Sequence, residues 1–419
     1  MRSSLGRYAL WIGLAILFAA LPHIFTSGTS LTKMSLMGIM IIFALSYNML
    51  LGQTGMLSFG HAVYYGLAGF MVVHFINRAS GGAWPVWLPF VPLIGGLTGL
   101  TFGIIFGWVS TTRAGTAFAM ISLGLGELVA ACSLILRGFF GGEEGITTNR
   151  TRLLRLFGYN FGPQVQVYYL IAAWCLICIA AMYAITRTPL GRMSNAVREN
   201  PERAQFVGYS TQMVRFLSFC LSGFFAGIAG ALAAINFEIM NFLSVSAVQS
   251  GTVLLMTYIG GVGHFFGPIL GAVLITWLQS SLSDLTGAWM LYFGLLFIFV
   301  IMFSPGGIAG WIMLHEPLAR AGLLMRLLPA YLLIAVPVLI ALAGIVGLIE
   351  FGHHYLVKGA TDGTVVRVLG VALDTAGPWP WLISVGLLAA GLILGRRLWP
   401  VVTDAWNGAS AELKRRISA

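Results

Sequence analysis

The sequence has 419 residues, of which 58% are hydrophobic and only 9% are charged. Soluble domains carry roughly a quarter charged residues, so this composition excludes a water-soluble enzyme or binding module, a disordered chain and a collagen-like fibre. At about 20 apolar residues for each helical crossing of a bilayer, it allows roughly twelve membrane spans. The net charge of +10 does not indicate nucleic-acid binding, because the basic residues stand between apolar runs.

Apolar segments follow one another along most of the chain. The first follows Arg2 and Arg7, and we interpret it as an uncleaved transmembrane helix rather than a signal peptide, because many further segments follow it. The predicted spans are 8–25, 33–51, 58–77, 86–110, 115–136, 167–185, 216–235, a glycine-broken region at 251–283, 290–303, 328–349 and 379–395. The sequence predicts an all-α, polytopic membrane protein of about 10–12 transmembrane helices.

The basic residues predict the orientation of these spans. When the loops are assigned to alternate sides, most of the 23 lysines and arginines fall on one side. By the positive-inside rule that side is the cytoplasm, so both termini are expected to be cytoplasmic.

Two glycine-rich segments interrupt the apolar sequence. The first runs from Leu51 to His61 and the second from Ile259 to Pro268, and their glycine spacings are similar. Paired interruptions in corresponding places are typical of transporters built from two repeats, and they indicate the pathway. The alternative is that these glycines only turn the chain or allow close helix packing. We expect broken helices in two repeat-like halves.

Three ionisable residues in or beside the apolar segments are of interest. Glu127 lies well inside an apolar run, where an ionised carboxylate facing lipid costs roughly 2.5 kcal/mol or more, so we expect it to face the protein interior and find a donor. It serves either the pathway or a hydrogen bond between helices. His61 and His264 are either packed side chains or contacts for protons or substrate. The predicted pathway residues are Gly52, Gln53, Gly55, Ser58, Gly60, His61, Glu127, Gly260, Gly261, Gly263 and Gly267.

A polar stretch from Arg187 to Arg215 separates two apolar runs. Asn200, followed by Pro201 and then by Glu202 in the first turn, predicts a helix start, and Gly208 suits its end. A helix of about seven residues is not stable alone, so it needs a surface on which to dock. The alternative is a solvated loop.

Five motifs, in this order, resemble the membrane subunits of branched-chain amino acid ABC importers of the LivM type. They are Asn48 to Ala62, the pair Gly126 and Glu127, Gly141 to Ile146, Gly191 to Gly208, and Gly260 to Gly271. The similarity extends from about residue 33 to residue 311. We therefore expect an N-terminal helix at 1–32, a permease core at 33–311 and a C-terminal extension at 312–419 with about two extra spans.

The resemblance implies a subunit that imports branched-chain or other hydrophobic amino acids, or related small solutes. Its implied partners are a second permease of the LivH type, two ATPase subunits, a periplasmic binding protein and the bilayer of the bacterial inner membrane. ATP and magnesium would be bound by the ATPases, and this chain would bind no cofactor. The residues implied to couple to the ATPase are Arg198, Glu199, Asn200, Glu202, Arg203, Ala204 and Gly208.

The C-terminal extension departs from the typical subunit. An outside connection there contains Glu350, His353, His354 and Asp362. Adjacent histidines point in different directions, so we predict no metal site. Extra anchoring or contact with another subunit is the expected role.

The energy source distinguishes the remaining classes of transporter. None of the three lysines belongs to a G-x-x-x-x-G-K-[ST] loop, so the chain does not run its own ATP hydrolysis. An ion-coupled secondary transporter usually holds several buried acids, and only Glu127 qualifies. That carrier, or a passive channel for small polar solutes, is the alternative to an ATP-driven importer. The apolar spans contain no H-E-x-x-H or G-x-S-x-G motif, so we do not expect an enzyme.

Overall fold

The structure is a computed structural model of the chain. The residues that this structure describes are 4–79, 86–154, 159–304, 306–358, 365–368, 371–375 and 377–418. Asp362, which was considered above as a metal ligand, lies outside the described residues.

The described part of the chain is predominantly helical, as the sequence predicted. The helices, in chain order, are α1 (Ser4–Ile24), α2 (Gly28–Thr54), α3 (Ala62–Arg78), α4 (Val91–Ser110), α5 (Thr116–Ile135), α6 (Arg137–Phe140), α7 (Gln164–Arg187), α8 (Pro189–Glu199), α9 (Pro201–Phe206), α10 (Thr211–Phe237), α11 (Ala247–Gly260), α12 (Gly267–Leu282), α13 (Trp289–Phe303), α14 (Gly307–Arg320), α15 (Leu324–His353) and α16 (Pro378–Ser418). Two antiparallel strand pairs join β1 (Ile146–Thr147) to β2 (Ile239–Met240) and β3 (Val365–Val368) to β4 (Val371–Asp374).

The polytopic all-α class is confirmed, although fewer helices reach full span length than the sequence suggested. Among the described residues, seven helices are long and apolar enough to cross a membrane, or eight if α13 and α14 form one bent span. The sequence-based number of 10–12 also counted α1, whose apolar part is Trp11–Ile24, and it counted α3, α11 and α12, which have 17, 14 and 16 residues. The last three helices are short because each adjoins a glycine-rich interruption.

The chain divides into two compact units. One comprises Met1–Leu278 and Val300–Ala309, and the other comprises Gln279–Phe299 and Gly310–Ala419. The first unit holds both glycine-rich interruptions and the polar stretch, so the candidate site lies within it. The domain limits drawn from the sequence, with an extension that begins at residue 312, stay a prediction.

Helices α2 and α10 form the centre of the first unit. In the 18-residue apolar stretch of α2, 83% of the residues are buried, and in the corresponding stretch of α10, 78% are buried. A helix that is apolar on all sides and buried must be surrounded by other helices. Helices α3, α4 and α7 pack around this pair.

The close approach of α4 and α10 depends on glycine. A Cβ added to Gly95 would lie 2.6 Å from the carbonyl oxygen of Gly227, and one added to Gly99 would lie 2.9 Å from the Cα of Gly227. Small residues at four-residue spacing let helix backbones approach in this way inside a membrane. Larger side chains at these positions would push the two helices apart.

Candidate functional site

The first predicted interruption is present between α2 and α3. Helix α2 ends at Thr54, and Gly55 follows with φ of 70°, which is in the left-handed region that favours glycine. The N–H of Gly55 donates to the carbonyl oxygens of Leu50 and Leu51, which closes the helix end. The chain becomes helical again at Ala62, with His61 at the cap position.

Side chains from three helices hold the non-helical part of this interruption, residues 55–61, in place. The Tyr47 hydroxyl of α2 donates to the carbonyl oxygen of Ser58 over 3.0 Å. The N–H of Phe59 donates to Ser122 Oγ on α5, also over 3.0 Å. Just beyond the segment, the N–H of Ala62 donates to Ser250 Oγ on α11 over 3.0 Å. Backbone groups that leave a helix inside a membrane need such partners.

His61 lies in the protein core. Its Nε2 is 3.0 Å from Ser46 Oγ. Because the Ser46 hydroxyl donates to the carbonyl oxygen of Phe43 over 2.7 Å, Nε2 of His61 is the donor in the contact between the two side chains. The imidazole also stacks on the Phe43 ring, with 5.4 Å between ring centroids. This geometry is that of a packed histidine.

The second interruption lies between α11 and α12. Helix α11 ends at Gly260, and Gly261 has φ of 114°, again a conformation that side chains rarely allow. The two helices then approach closely, because a Cβ on Gly260 would lie 2.6 Å from the carbonyl carbon of Gly267. Gly263 differs from these glycines, since a Cβ there would meet nothing within 4 Å. His264 is only partly buried.

The structure brings the two interruptions together. A Cβ on Gly52, near the end of α2, would lie 2.7 Å from the carbonyl oxygen of Val262, in the second interruption. It would also overlap the side chain of Asn48. The glycine at position 52 is therefore required for the contact between two segments that are far apart in the sequence.

Glu127 lies where the sequence did not predict it. We expected an inward-facing carboxylate with a donor, but in this chain the Glu127 side chain is exposed. The reason is that its neighbour Gly126 takes the inward position, where a Cβ would lie 3.2 Å from the Cα of Gly60. The hydrogen bonds found among the described residues do not include this carboxylate.

The polar stretch forms two helices rather than one. The predicted short helix is α9, and the Asn200 side chain caps it by accepting from the N–H of Arg203 over 3.0 Å. Gly208 has φ of 91° and follows the helix end, as expected. Helix α8, which comes before α9, was not predicted as a separate element. A signal for it was present, since Thr188 at its N-cap accepts from the N–H of Gly191, and Pro189 follows at N1.

Helices α8 and α9 have a buried side and an exposed side. Ala204 is buried in a cluster with Val197 of α8 and Val214 of α10. Phe206 and Val207 are 89% and 73% exposed. These two residues were not predicted from the sequence, because an apolar side chain at the end of a helix does not by itself indicate exposure. Of the predicted coupling residues, Ala204 is buried and Asn200 is partly buried, and the exposed ones are Arg198, Glu199, Glu202, Arg203 and Gly208.

One residue of the polar stretch reaches the first interruption. The guanidinium of Arg198, on α8, donates a hydrogen bond from Nη1 to the carbonyl oxygen of Gly52. A Cβ on Gly55 would lie 3.0 Å from Cγ of the same arginine. A cation at the C-terminal end of α2 is favourable, because the last carbonyl groups of a helix carry partial negative charge. Arg198, which was predicted only as a coupling residue, therefore contacts Gly52, a predicted pathway residue.

These features define a class before any relative is considered. The chain is a multi-pass membrane protein whose helices are broken at two glycine-rich segments that touch each other, and a polar helical pair is bonded to one of them. Such broken helices are a means of moving a solute across a bilayer.

Comparison with known proteins assigns the family. Residues 30–304 match the family described as branched-chain amino acid transport system, permease component. The high-affinity branched-chain amino acid transport system permease protein LivM of Escherichia coli is 27% identical over 318 residues, which cover 71% of this chain and 73% of that protein. A probable branched-chain amino acid transport permease protein LivH of Methanocaldococcus jannaschii is 25% identical, covering 59% and 81%. The fructose import permease protein FrcC of Rhizobium meliloti is 26% identical, covering 44% and 54%. No solved structure matches the chain.

The chain belongs to the family of branched-chain amino acid transport system permease components. It is a membrane permease subunit of an ABC importer and is not itself an enzyme. The ion-coupled carrier and the passive channel, the alternatives left open by the sequence, find no support among the relatives.

Proposed function

We propose that this chain imports branched-chain or other hydrophobic amino acids as one half of a heterodimeric permease. Its partners would be a second permease of the LivH type, two ATPase subunits and a periplasmic binding protein, in the bacterial cytoplasmic membrane. Support for the substrate comes from the names of the LivM relatives. Support for a second, LivH-type subunit comes from the similarity of this chain to such a protein.

The observation that carries the mechanism is the hydrogen bond between Arg198 and Gly52. In our proposal, the exposed side of α8 and α9 docks on an ATPase, with Glu199, Glu202, Arg203, Phe206 and Val207 at the surface. Closure of the ATPase dimer on ATP moves this helical pair. Since Arg198 bonds to the end of α2, that end moves with it, and Gly52 carries the motion to Val262 in the second interruption.

The exposed carboxylate of Glu127 indicates which side of the chain faces other protein. Its neighbours Met120 and Leu128, on the same helix, are 69% and 57% exposed. Facing lipid, an ionised carboxylate is unfavourable by roughly 2.5 kcal/mol or more. We propose that α5 faces the second permease and the pathway between the two subunits, where water or a donor meets Glu127.

The same proposal sets the orientation and the cofactors. Docking on an ATPase requires α8 and α9 to lie in the cytoplasm, and the positive-inside rule then places both termini there. ATP and magnesium would bind to the ATPase subunits, and this chain would hold neither.

Reconstitution tests the proposal. The chain is placed in lipid vesicles alone, and in a second sample with its LivH-type and ATPase subunits and with the binding protein outside. We expect accumulation of radiolabelled leucine only in the complete sample, and only with ATP on the ATPase side. Accumulation by the lone chain under an ion gradient would overturn the proposal.

A further inference from the structure

Helices α15 and α16, both in the second unit, pack against each other, and their contacts show which residues of the two helices lie at the same level. A Cβ on Gly344 would lie 2.6 Å from the backbone nitrogen of Leu388, and one on Gly391 would lie 2.5 Å from that of Ala341. Further along, Leu327 and Ala409 are buried in one hydrophobic cluster. The two helices are therefore antiparallel, with Ala341 level with Gly391 and Leu327 near the level of Ala409.

Helix α15 shows where the bilayer must lie along this pair. From Leu327 to Ile349 it has no charged residue. At 1.5 Å per residue this stretch is about 33 Å long, which is close to the thickness of a bilayer core. Its outward side chains in this range are apolar, as Leu332 and Leu339 show with 62% and 64% exposure. This stretch of α15 is called the apolar band below.

The Cα atoms of two arginines of α16 lie at the level of the apolar band. Arg396 is five residues, or about 7.5 Å, beyond Gly391, which places its Cα near the level of Val336. Ala409 is another 13 residues, or about 20 Å, further along the helix. The side chains of Arg396 and Arg397 are exposed, and they stand between Leu392 and Trp399, which are 62% and 60% exposed.

These two guanidinium groups need an anionic partner from outside the chain. Among the residues that the structure describes, no ion pair includes either arginine, whereas Arg320 and Arg416 pair with Glu316 and Glu412. A charge inside the apolar region of a bilayer is costly unless it is paired or extends to the interface. The planar guanidinium binds phosphate with two parallel hydrogen bonds, and this suits it to a phospholipid headgroup.

We propose that Arg396 and Arg397 bind the phosphate of an anionic phospholipid in the leaflet on the side of the C-terminal end of α16. The long side chains extend along the helix toward the headgroups, and local thinning of the bilayer brings the phosphates within their reach, while their methylene groups stay in contact with acyl chains. The occupant is a lipid rather than free phosphate, because the neighbouring exposed side chains, Leu392 and Trp399, are apolar. The hairpin of α15 and α16 thus becomes a lipid-binding anchor of the permease.

Native mass spectrometry of the full chain with its transporter partners tests this site, with phosphatidylglycerol titrated into mild detergent. We expect the double variant R396Q and R397Q to bind the lipid at least about tenfold more weakly than the unchanged protein. The matched control is R192Q with K414Q, which removes two exposed charges that lie outside the apolar band and outside the proposed lipid site, and it should alter the affinity less than about twofold. Equal weakening in both variants would overturn the proposal.

Further arms separate the lipid from other anions and guard against misfolding. Phosphatidylcholine should bind with equal, low affinity to the unchanged and the double-variant proteins, and inorganic phosphate should not be retained. Retention of inorganic phosphate by Arg396 and Arg397 would overturn the assignment to lipid. If the glutamine variant does not fold, R396K with R397K keeps the charge but not the planar fork, and it should bind phosphatidylglycerol about threefold more weakly. Unchanged binding in that variant would also overturn the proposal.

Discussion

The guanidinium of Arg198 donates a hydrogen bond to the backbone carbonyl oxygen of Gly52. Arg198 belongs to the polar helical pair, and Gly52 stands near the end of the first broken helix. A bond to a backbone oxygen does not depend on the side chain at position 52. In our proposal this bond transmits a displacement of α8 directly to the backbone of α2, which a bond between two mobile side chains would not.

Substitution of Gly52 by alanine is predicted to lower transport strongly. The added Cβ would overlap the Asn48 side chain and lie 2.7 Å from the carbonyl oxygen of Val262, so the two interruptions would be forced apart. In the reconstituted complete transporter, we expect G52A to lower leucine uptake by at least about tenfold. Forcing an extra carbon into a packed contact costs about 1–3 kcal/mol, which is enough for a change of that size.

Gly251→Ala is the matched control for that substitution. It makes the same change on α11, the helix that leads into the second interruption, at a position where a Cβ would meet nothing within 4 Å. Uptake by G251A should stay within about twofold of the unchanged protein, in line with the small effect of substitutions that disturb no neighbour. A control variant as inactive as G52A would show that the contact between the interruptions is not the cause.

The exposed apolar residues at the end of α9, Phe206 and Val207, are predicted to bind the ATPase. Replacing Phe206 and Val207 by serine removes apolar area that is 89% and 73% exposed in this chain. We expect the amount of ATPase subunit that co-purifies with the tagged permease to fall at least about fivefold, because central apolar anchors carry much of the affinity of an interface.

A variant that changes a polar residue of the same helix serves for comparison. Gln205→Ala removes only a long hydrogen bond to Thr211 Oγ1, of 3.3 Å, and should leave co-purification unchanged. Normal recovery of the ATPase with the serine variant would contradict our assignment of the docking surface.

Glu127 is predicted to face water or protein rather than lipid. Glu127→Leu removes the carboxylate while it keeps an apolar helix of similar bulk. If the residue lines the pathway or the subunit interface, uptake should fall by roughly tenfold or more, and Glu127→Gln should retain part of it because an amide still forms hydrogen bonds. A leucine variant with full uptake and a higher melting temperature would indicate that Glu127 faces lipid.

The sequence was sufficient for the local features. The positions of the spans followed from apolar runs, both interruptions followed from glycine spacing, and α9 followed from Asn200, Pro201 and Gly208. Each of these signals comes from residues close together in the chain, where steric and capping preferences act.

Contacts between distant segments could not be predicted from the sequence. Neither the approach of Gly52 to Val262 nor the bond from Arg198 to Gly52 has a local signal, because both depend on how helices pack. Glu127 was assigned to the interior from its polarity alone. The structure gives that direction to Gly126 instead, whose added Cβ would lie only 3.2 Å from the Cα of Gly60.

The central claim is that ATP-driven motion reaches the pathway through Arg198. The most direct measurement is the amount of leucine transported for each ATP hydrolysed by the complete transporter in vesicles. For Arg198→Ala we predict that this ratio falls at least about tenfold while ATP hydrolysis continues, and for Arg192→Ala, an exposed arginine on the same helix, that it stays within about twofold. An unchanged ratio in the Arg198 variant would contradict the account.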